Sequence, residues 1–153
     1  LHREFTRFQA APPPLCTAAM VDDNPFIWNV TLGGPVGSPY EGGKFLIEFK
    51  FGEKFPTVAP RVQFLTKVWH PNVNQWGIAC ANFLDRMWKP TMPVNALICS
   101  LVALLCEPNA DNTGDPSKML LRSREEFERK AREYTALYAM GAAPAPGQPS
   151  TSG

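Results

Sequence analysis

Apolar residues at Leu1, Phe5 and Phe8 stand at i, i+4 and i+7, so the chain opens as an amphipathic helix with Arg3 and Arg7 off the apolar stripe. Pro12, Pro13 and Pro14 end it. By pattern alone those arginines read as a solvated face. Residues 15–21, 26–32, 44–51 and 61–66 then read as four short strands, rich in β-formers and separated by Gly, Pro and Asp. In the third, Phe45, Ile47 and Phe49 alternate with Lys44, Leu46, Glu48 and Lys50, which leaves one face largely polar. The short links predict an antiparallel meander with helices over one face, an α+β architecture. Pro93 suits the first turn of a helix through Cys106, and VNALICSLVALLC is apolar on nearly every side. A helix of that kind is expected in the middle of the domain, packed on the sheet. Asp115 and Pro116 read as N-cap and first residue of a short helix. Ser123 with Glu126 reads as the capping box of the last helix, whose apolar stripe is Phe127, Ala131, Tyr134 and Tyr138. Beyond residue 140 only Gly, Ala, Pro, Gln, Ser and Thr remain, so the pattern predicts one domain over 1–140 and a flexible tail over 141–153.

Between these elements lie segments with no regular period. GGPVGSPYEGG, between strands two and three, reads as a rigid exposed turn. Pro56 and Pro60 withhold donors around the third connection and mark a sheet edge. Trp88, Pro90 and Pro93 mark a second stiff loop. The longest such segment is TKVWHPNVNQWGIACANFL, residues 66–84, which reads as 19 irregular residues, long for a compact domain. Trp69, Val73, Trp76, Ile78 and Phe83 require burial somewhere, so the segment is expected to be ordered. It presents one thiol, Cys80, ten residues after His70.

Composition narrows the function classes. The 153 residues suit one domain with a real core, and fifteen basic against fourteen acidic side chains give a net charge of +1. That balance gives no electrostatic case for nucleic acid or a membrane surface. The longest apolar run falls well short of the roughly 20 residues that span a bilayer, and no signal segment opens the chain. A soluble protein of the cytoplasm or nucleus is the expectation. Leu1 in place of Met suggests a trimmed start, with some of the first element missing. Cys16, Cys80, Cys99 and Cys106 contain no CxxC pair, and His2 and His70 supply no paired ligand motif, so no metal site is expected. Cys99 and Cys106, seven apart in the apolar helix, share a face where buried free thiols are ordinary packing.

Three readings compete for Cys80: a buried structural thiol, a hydrolase nucleophile with His70 as base, and a thioester carrier that takes an acyl group from one thioester and gives it to an amine. The hydrolase needs imidazole within reach of sulfur and a third group to orient it, and the sequence offers neither plainly. The carrier needs an exposed sulfur and a donor near the developing oxyanion, a role open to Asn72.

His70-Pro71-Asn72 followed by Gly77 and Cys80 resembles the centre of the ubiquitin-conjugating enzymes (E2). The resemblance runs over about residues 1 to 140. It extends through Gly34-Pro35, Ser38-Pro39-Tyr40-Glu41-Gly42-Gly43, Phe55-Pro56, Pro60-Arg61-Val62, Trp88-Lys89-Pro90, Cys106-Glu107-Pro108-Asn109 and Ala131-Arg132-Glu133-Tyr134-Thr135. Many separate segments in one order carry far more weight than any one motif.

The resemblance implies a four-stranded antiparallel meander with an N-terminal helix, a central helix across the sheet and two C-terminal helices. It implies that Cys80 takes ubiquitin as a thioester from an activating enzyme and passes it to a lysine of a protein substrate or to a RING- or HECT-type ligase. No cofactor is implied, ATP being spent upstream by the activating enzyme. Asn72 would support the oxyanion or hold the active-site loop, His70 and Pro71 would order that loop, and Asn82 would line the cleft in place of a common aspartate. The loop before the short helix is about two residues shorter than in common members. The residue that orients the incoming lysine is accordingly one of Asp111, Asn112 and Asp115. Arg3 and Arg7, with Pro56, Thr57, Trp88, Lys89, Pro90 and Thr91, would dock the activating enzyme and ligases. Thr57 stands where relatives that work with many ligases carry a large apolar residue, which argues against broad ligase use. Thr17 would lie where some members bind a second ubiquitin. The alternatives are conjugation of another ubiquitin-like modifier and a non-catalytic ubiquitin-binding scaffold, a class that lacks the cysteine.

Overall fold

The computed structural model describes residues 1–79, 81–110 and 114–140, without the side chains of 81–83. The elements run α1 (His2–Ala10), β1 (Cys16–Val21), β2 (Asn24–Gly33), β3 (Lys44–Lys50), β4 (Arg61–Phe64), α2 (Ala81–Met87), α3 (Val94–Cys106), α4 (Asp115–Arg122) and α5 (Arg124–Tyr138). The sheet is the expected antiparallel meander in the order β1-β2-β3-β4. Asp22 and Asp23, both left-handed at φ 51° and 59°, make the tight turn joining β1 to β2. β2 accordingly begins at Asn24, two residues before the expected Phe26.

Register sorts the side chains into rows. Cys16, Leu32 and Phe45 lie across one row; Ala18, Val30, Ile47 and Phe64 across the next; Met20, Trp28, Phe49 and Val62 across the third. These rows form the inner face, and nearly all of their large residues are buried. The alternate rows hold Thr17, Thr31 and Leu46, then Ala19, Asn29, Glu48 and Gln63. This second face is less open than the alternation of β3 predicts. Leu46 is buried, because the chain leaving β4 folds over it and the amides of Leu65 and Thr66 both donate to the Leu46 carbonyl.

Helix α3 covers the inner face with Val94, Leu97, Ile98, Leu101, Leu104 and Leu105. It is one-sided, not buried all round. Cys99 and Cys106 share a face as their spacing requires, but that face meets solvent, so the expectation of buried packing is corrected. Among the described cysteines Cys16 is the buried one, its thiol pushed up to about 11 by burial and, secondarily, by Cys99. Helix α1 closes one end of the core through Phe8, with Phe5 edge-on to Trp28 at 5.1 Å.

Two helix starts differ in detail from expectation. Gly114 is the N-cap of α4, so Asp115 is its first residue and Pro116 its second. Ser123 caps α5 by accepting from the Glu126 amide at 3.2 Å, but the Glu126 carboxylate pairs with Arg122 at 2.9 Å. The Ser123 amide that would complete the box donates to Met119 instead, at 2.8 Å. The buried stripe of α5 is Phe127, Ala131 and Thr135. Tyr134 and Tyr138 flank it, and Tyr134 meets Trp69 at 5.3 Å.

Candidate active site

The stretch between β4 and α3 is more regular than its sequence suggests. Ile78 bridges Gln63 and Ala79 bridges Val73, and the last part is helix α2. Leu84 and Trp88, four apart and both buried, give α2 and the residue after it a core-facing side, and the Trp88 amide donates to the Leu84 carbonyl at 2.9 Å. Gly77, at φ +86°, lets the chain pass the sheet edge, since a Cβ there would sit 2.1 Å from the Phe64 carbonyl oxygen.

His70, Pro71 and Asn72 are all buried. The Asn72 amide donates to His70 Nδ1 at 3.0 Å, so Nδ1 carries the lone pair and Nε2 the proton. Nε2 lies 2.9 Å from the carbonyl oxygen of Leu104 and donates to it. That carbonyl is one of the last four of α3, which lack partners within the helix. Burial lowers the imidazole pKa to about 4, and the bond to Leu104 only partly opposes this. His70 is therefore neutral near pH 7 with both nitrogens engaged, which leaves no lone pair for a thiol and removes the support for a Cys-His hydrolase.

Asn72 is tied in the same way to the chain beyond α3: its Oδ1 accepts from the Asn109 amide at 3.0 Å. Tyr40 completes the frame. The expected exposed turn does expose Val36 and Gly37, but it drives the Tyr40 ring fully into the core. There the hydroxyl donates to the Trp69 carbonyl at 2.7 Å, and the ring lies 5.8 Å from the imidazole of His70. Burial, with the Glu128 charge adding, holds the phenol well above its ordinary value, so it stays a donor. Sequence reasoning missed Tyr40 as part of the site; a large aromatic inside a Gly- and Pro-rich turn was the available signal.

Cys80, Asp111 and Asn112 lie outside the described residues, as do the side chain of Asn82 and residues 141–153. Asp115 is exposed at the start of α4 and lines a groove beside the loop. A second groove, of about 840 Å³, brings Arg3 to Phe55, Pro56, Pro90 and Met92, beside the exposed Phe26. Its two loops are bound together by Trp88, whose indole donates to the Pro56 carbonyl at 2.7 Å. Thr57, Lys89 and Thr91 are exposed on the same loops. Arg7 points elsewhere on α1 and pairs with Glu4 at 3.6 Å. Thr17 is exposed on the second face of the sheet, opposite Thr31.

Among the described residues no cluster of three or more His, Cys, Asp or Glu could hold a metal ion, and no helix is long and apolar enough to cross a membrane. Compared with known protein families, residues 1–135 match the family model described as ubiquitin-conjugating enzyme.

Proposed function

The chain belongs to the ubiquitin-conjugating enzyme family, and on that premise we propose that it is an active conjugating enzyme with Cys80 as the thioester carrier. The Cys80 thiolate attacks the carbonyl carbon of a thioester held by an activating enzyme. The new C–S bond forms, the old one breaks, and the activating enzyme's sulfur leaves and takes up a proton. A lysine amine of a protein substrate then attacks the same carbon; a C–N bond forms, the C–S bond breaks, and the proton lost by the amine returns the Cys80 thiol through solvent. Both steps pass through an oxyanion. No cofactor is needed, because ATP is consumed before the acyl group reaches this protein.

The observation that carries this reading is the orientation of Asn72. With Oδ1 committed to the Asn109 amide, the end left for a developing oxyanion is the Nδ2 amide, a donor on a buried, pre-oriented side chain. The imidazole beside it orders the loop and takes no part in proton transfer. The groove that gathers Arg3, Pro56 and Pro90 supports docking of the activating enzyme and ligases there. The exposed Thr17 supports a weaker, non-covalent ubiquitin contact on the sheet.

Incubation with ubiquitin, an activating enzyme and ATP should yield an adduct that a thiol reductant removes. A non-catalytic scaffold would form none, and the presence of Cys80 opposes that alternative. Charging in parallel with other ubiquitin-like modifiers separates the two conjugating readings: the proposal expects ubiquitin to be loaded fastest, and preferential loading of another modifier would replace it.

A further inference from the structure

Helix α1 runs into three prolines, and its last carbonyls are short of donors as a result. A helix commonly closes when the amides of the next residues turn back onto its final turn, but Pro12, Pro13 and Pro14 carry no N–H. The Ala11 amide returns to the Arg7 carbonyl at 3.2 Å. Two side chains then tie this end of the helix to the rest of the fold. Asn95, on the first turn of α3, donates from Nδ2 to the Ala11 carbonyl at 2.9 Å, and Gln9 donates from Nε2 to the Ala18 carbonyl of β1 at 3.1 Å. A carbonyl can only accept, so the Asn95 amide is fixed with Nδ2 toward Ala11, and its Oδ1 is left buried with no partner. An orphaned oxygen costs stability. An apolar side chain would fill the position without that cost, so what the amide adds at residue 95 is direction.

Direction is what the remaining contacts of α1 lack. Phe8 is buried, and Phe5 lies edge-on to Trp28 at 5.1 Å. No side chain caps the first turn, and nine residues are too few for a helix to stand alone. Apolar contact is non-directional, whereas a hydrogen bond weakens steeply as its angle closes. Bonds to two different elements, β1 and α3, therefore fix the tilt of α1. They sit at its C-terminal end, while Leu1, His2, Arg3 and Glu4 at the other end line the groove with Pro56 and Pro90. Arg3 stands about 9–12 Å along the axis from the two bonds, so a tilt of about 10° moves it by roughly 2 Å.

We propose that Asn95 and Gln9 are positioning residues for docking: they set the tilt of α1, hence the spacing of Arg3 from Pro56 and Pro90, and through it the affinity for the activating enzyme. This role rests on the docking reading of that groove and adds to it two residues that do not line it. Asn95 stands near the start of α3, and the Leu104 carbonyl near the other end accepts from His70. The docking helix and the active-site loop are thus both referenced to one rigid element.

The test is a charging assay in which the full chain is the varied substrate of an activating enzyme supplied with ubiquitin and ATP, so that KM and kcat are read separately. Asn95→Leu removes the donor and the orphaned oxygen together, and Gln9→Met removes the other donor at an exposed position. Asn95→Leu should raise KM roughly three- to tenfold with kcat and the denaturant midpoint unchanged. Gln9→Met should raise KM in the same way, and it carries the test if Asn95→Leu does not fold. Asn95→Gln, which keeps a donor, should recover part of the loss. Arg3→Ala in the same assay reports docking itself. If Arg3→Ala raises KM and neither Asn95→Leu nor Gln9→Met does, this inference alone is overturned. If Arg3→Ala leaves KM unchanged, the docking reading falls and takes the inference with it. A fall in kcat, or a rise in KM matched by a fall in the denaturant midpoint, overturns the positioning role in favour of plain structural support. Failure of the wild type to charge at all removes the conjugating reading.

Discussion

His70 has its two nitrogens committed to Leu104 and Asn72, and burial lowers its pKa from 6.5 to about 4. The unfolded chain therefore binds a proton at this residue between those values while the folded chain does not. Stability due to this group is complete above pH 6.5 and is lost as pH falls toward about 4, by up to about 3 kcal/mol. Urea unfolding at a series of pH values should show that decline, and His70→Gln should be less stable at pH 7 but with a shallower pH dependence over the same window. Equal slopes would mean that His70 is not the group responsible. Tyr40→Phe removes the donor to the buried Trp69 carbonyl and should cost about 1–3 kcal/mol, read by denaturant midpoint, with slower discharge of charged enzyme. A loss of stability with unchanged discharge would separate Tyr40 from the site. At this scale the sequence was informative about Cys80, whose loop setting and spacing from His70 made it a candidate. For Tyr40 it offered only a large aromatic inside a Gly- and Pro-rich turn and no sign of the partner of its hydroxyl, a backbone carbonyl 29 residues away.

Among the elements, the strands and long helices were legible because their periods of two and 3.6 residues sort large apolar side chains onto one face. α2 was not, because a seven-residue helix shows only two turns and its core-facing spacing runs on to Trp88 beyond its end. The cysteines of α3 were misread for a related reason: periodicity establishes that Cys99 and Cys106 share a side, but not that the sheet occupies the opposite one. The turn that carries Trp76 was hidden as well, since Asn74 secures it through side-chain bonds that leave no periodic trace. Gly77 is its weak point. Gly77→Ala would place a Cβ against the Phe64 carbonyl in a left-handed conformation and should destabilise the protein by roughly 2 kcal/mol or more. Thermal unfolding reads this directly; a change below about 0.5 kcal/mol would show that the turn tolerates a side chain and is not pinned as described.

In the whole molecule, the sheet and α3 form a platform whose function is to hold one irregular loop still. Leu104 and Asn109, at and beyond the C-terminal end of α3, hold His70 and Asn72, while Tyr40 reaches the same loop from the turn before β3. Of two separate grooves, one gathers Arg3 with Pro56 and Pro90, and the other presents Trp76 beside the loop. The residues of the first were named by the family resemblance, while pattern alone read its prolines as a sheet edge and a stiff loop; the second depended on the exposure of Trp76, a residue expected to be buried, which no sequence pattern announces. The proposed function depends on Cys80 forming the acyl bond. In the charging reaction with ubiquitin, activating enzyme and ATP, the wild-type adduct should disappear on addition of thiol, and the Cys80→Ser adduct, an oxygen ester, should persist. Absence of any wild-type adduct, or a thiol-labile adduct that survives Cys80→Ser, would contradict it.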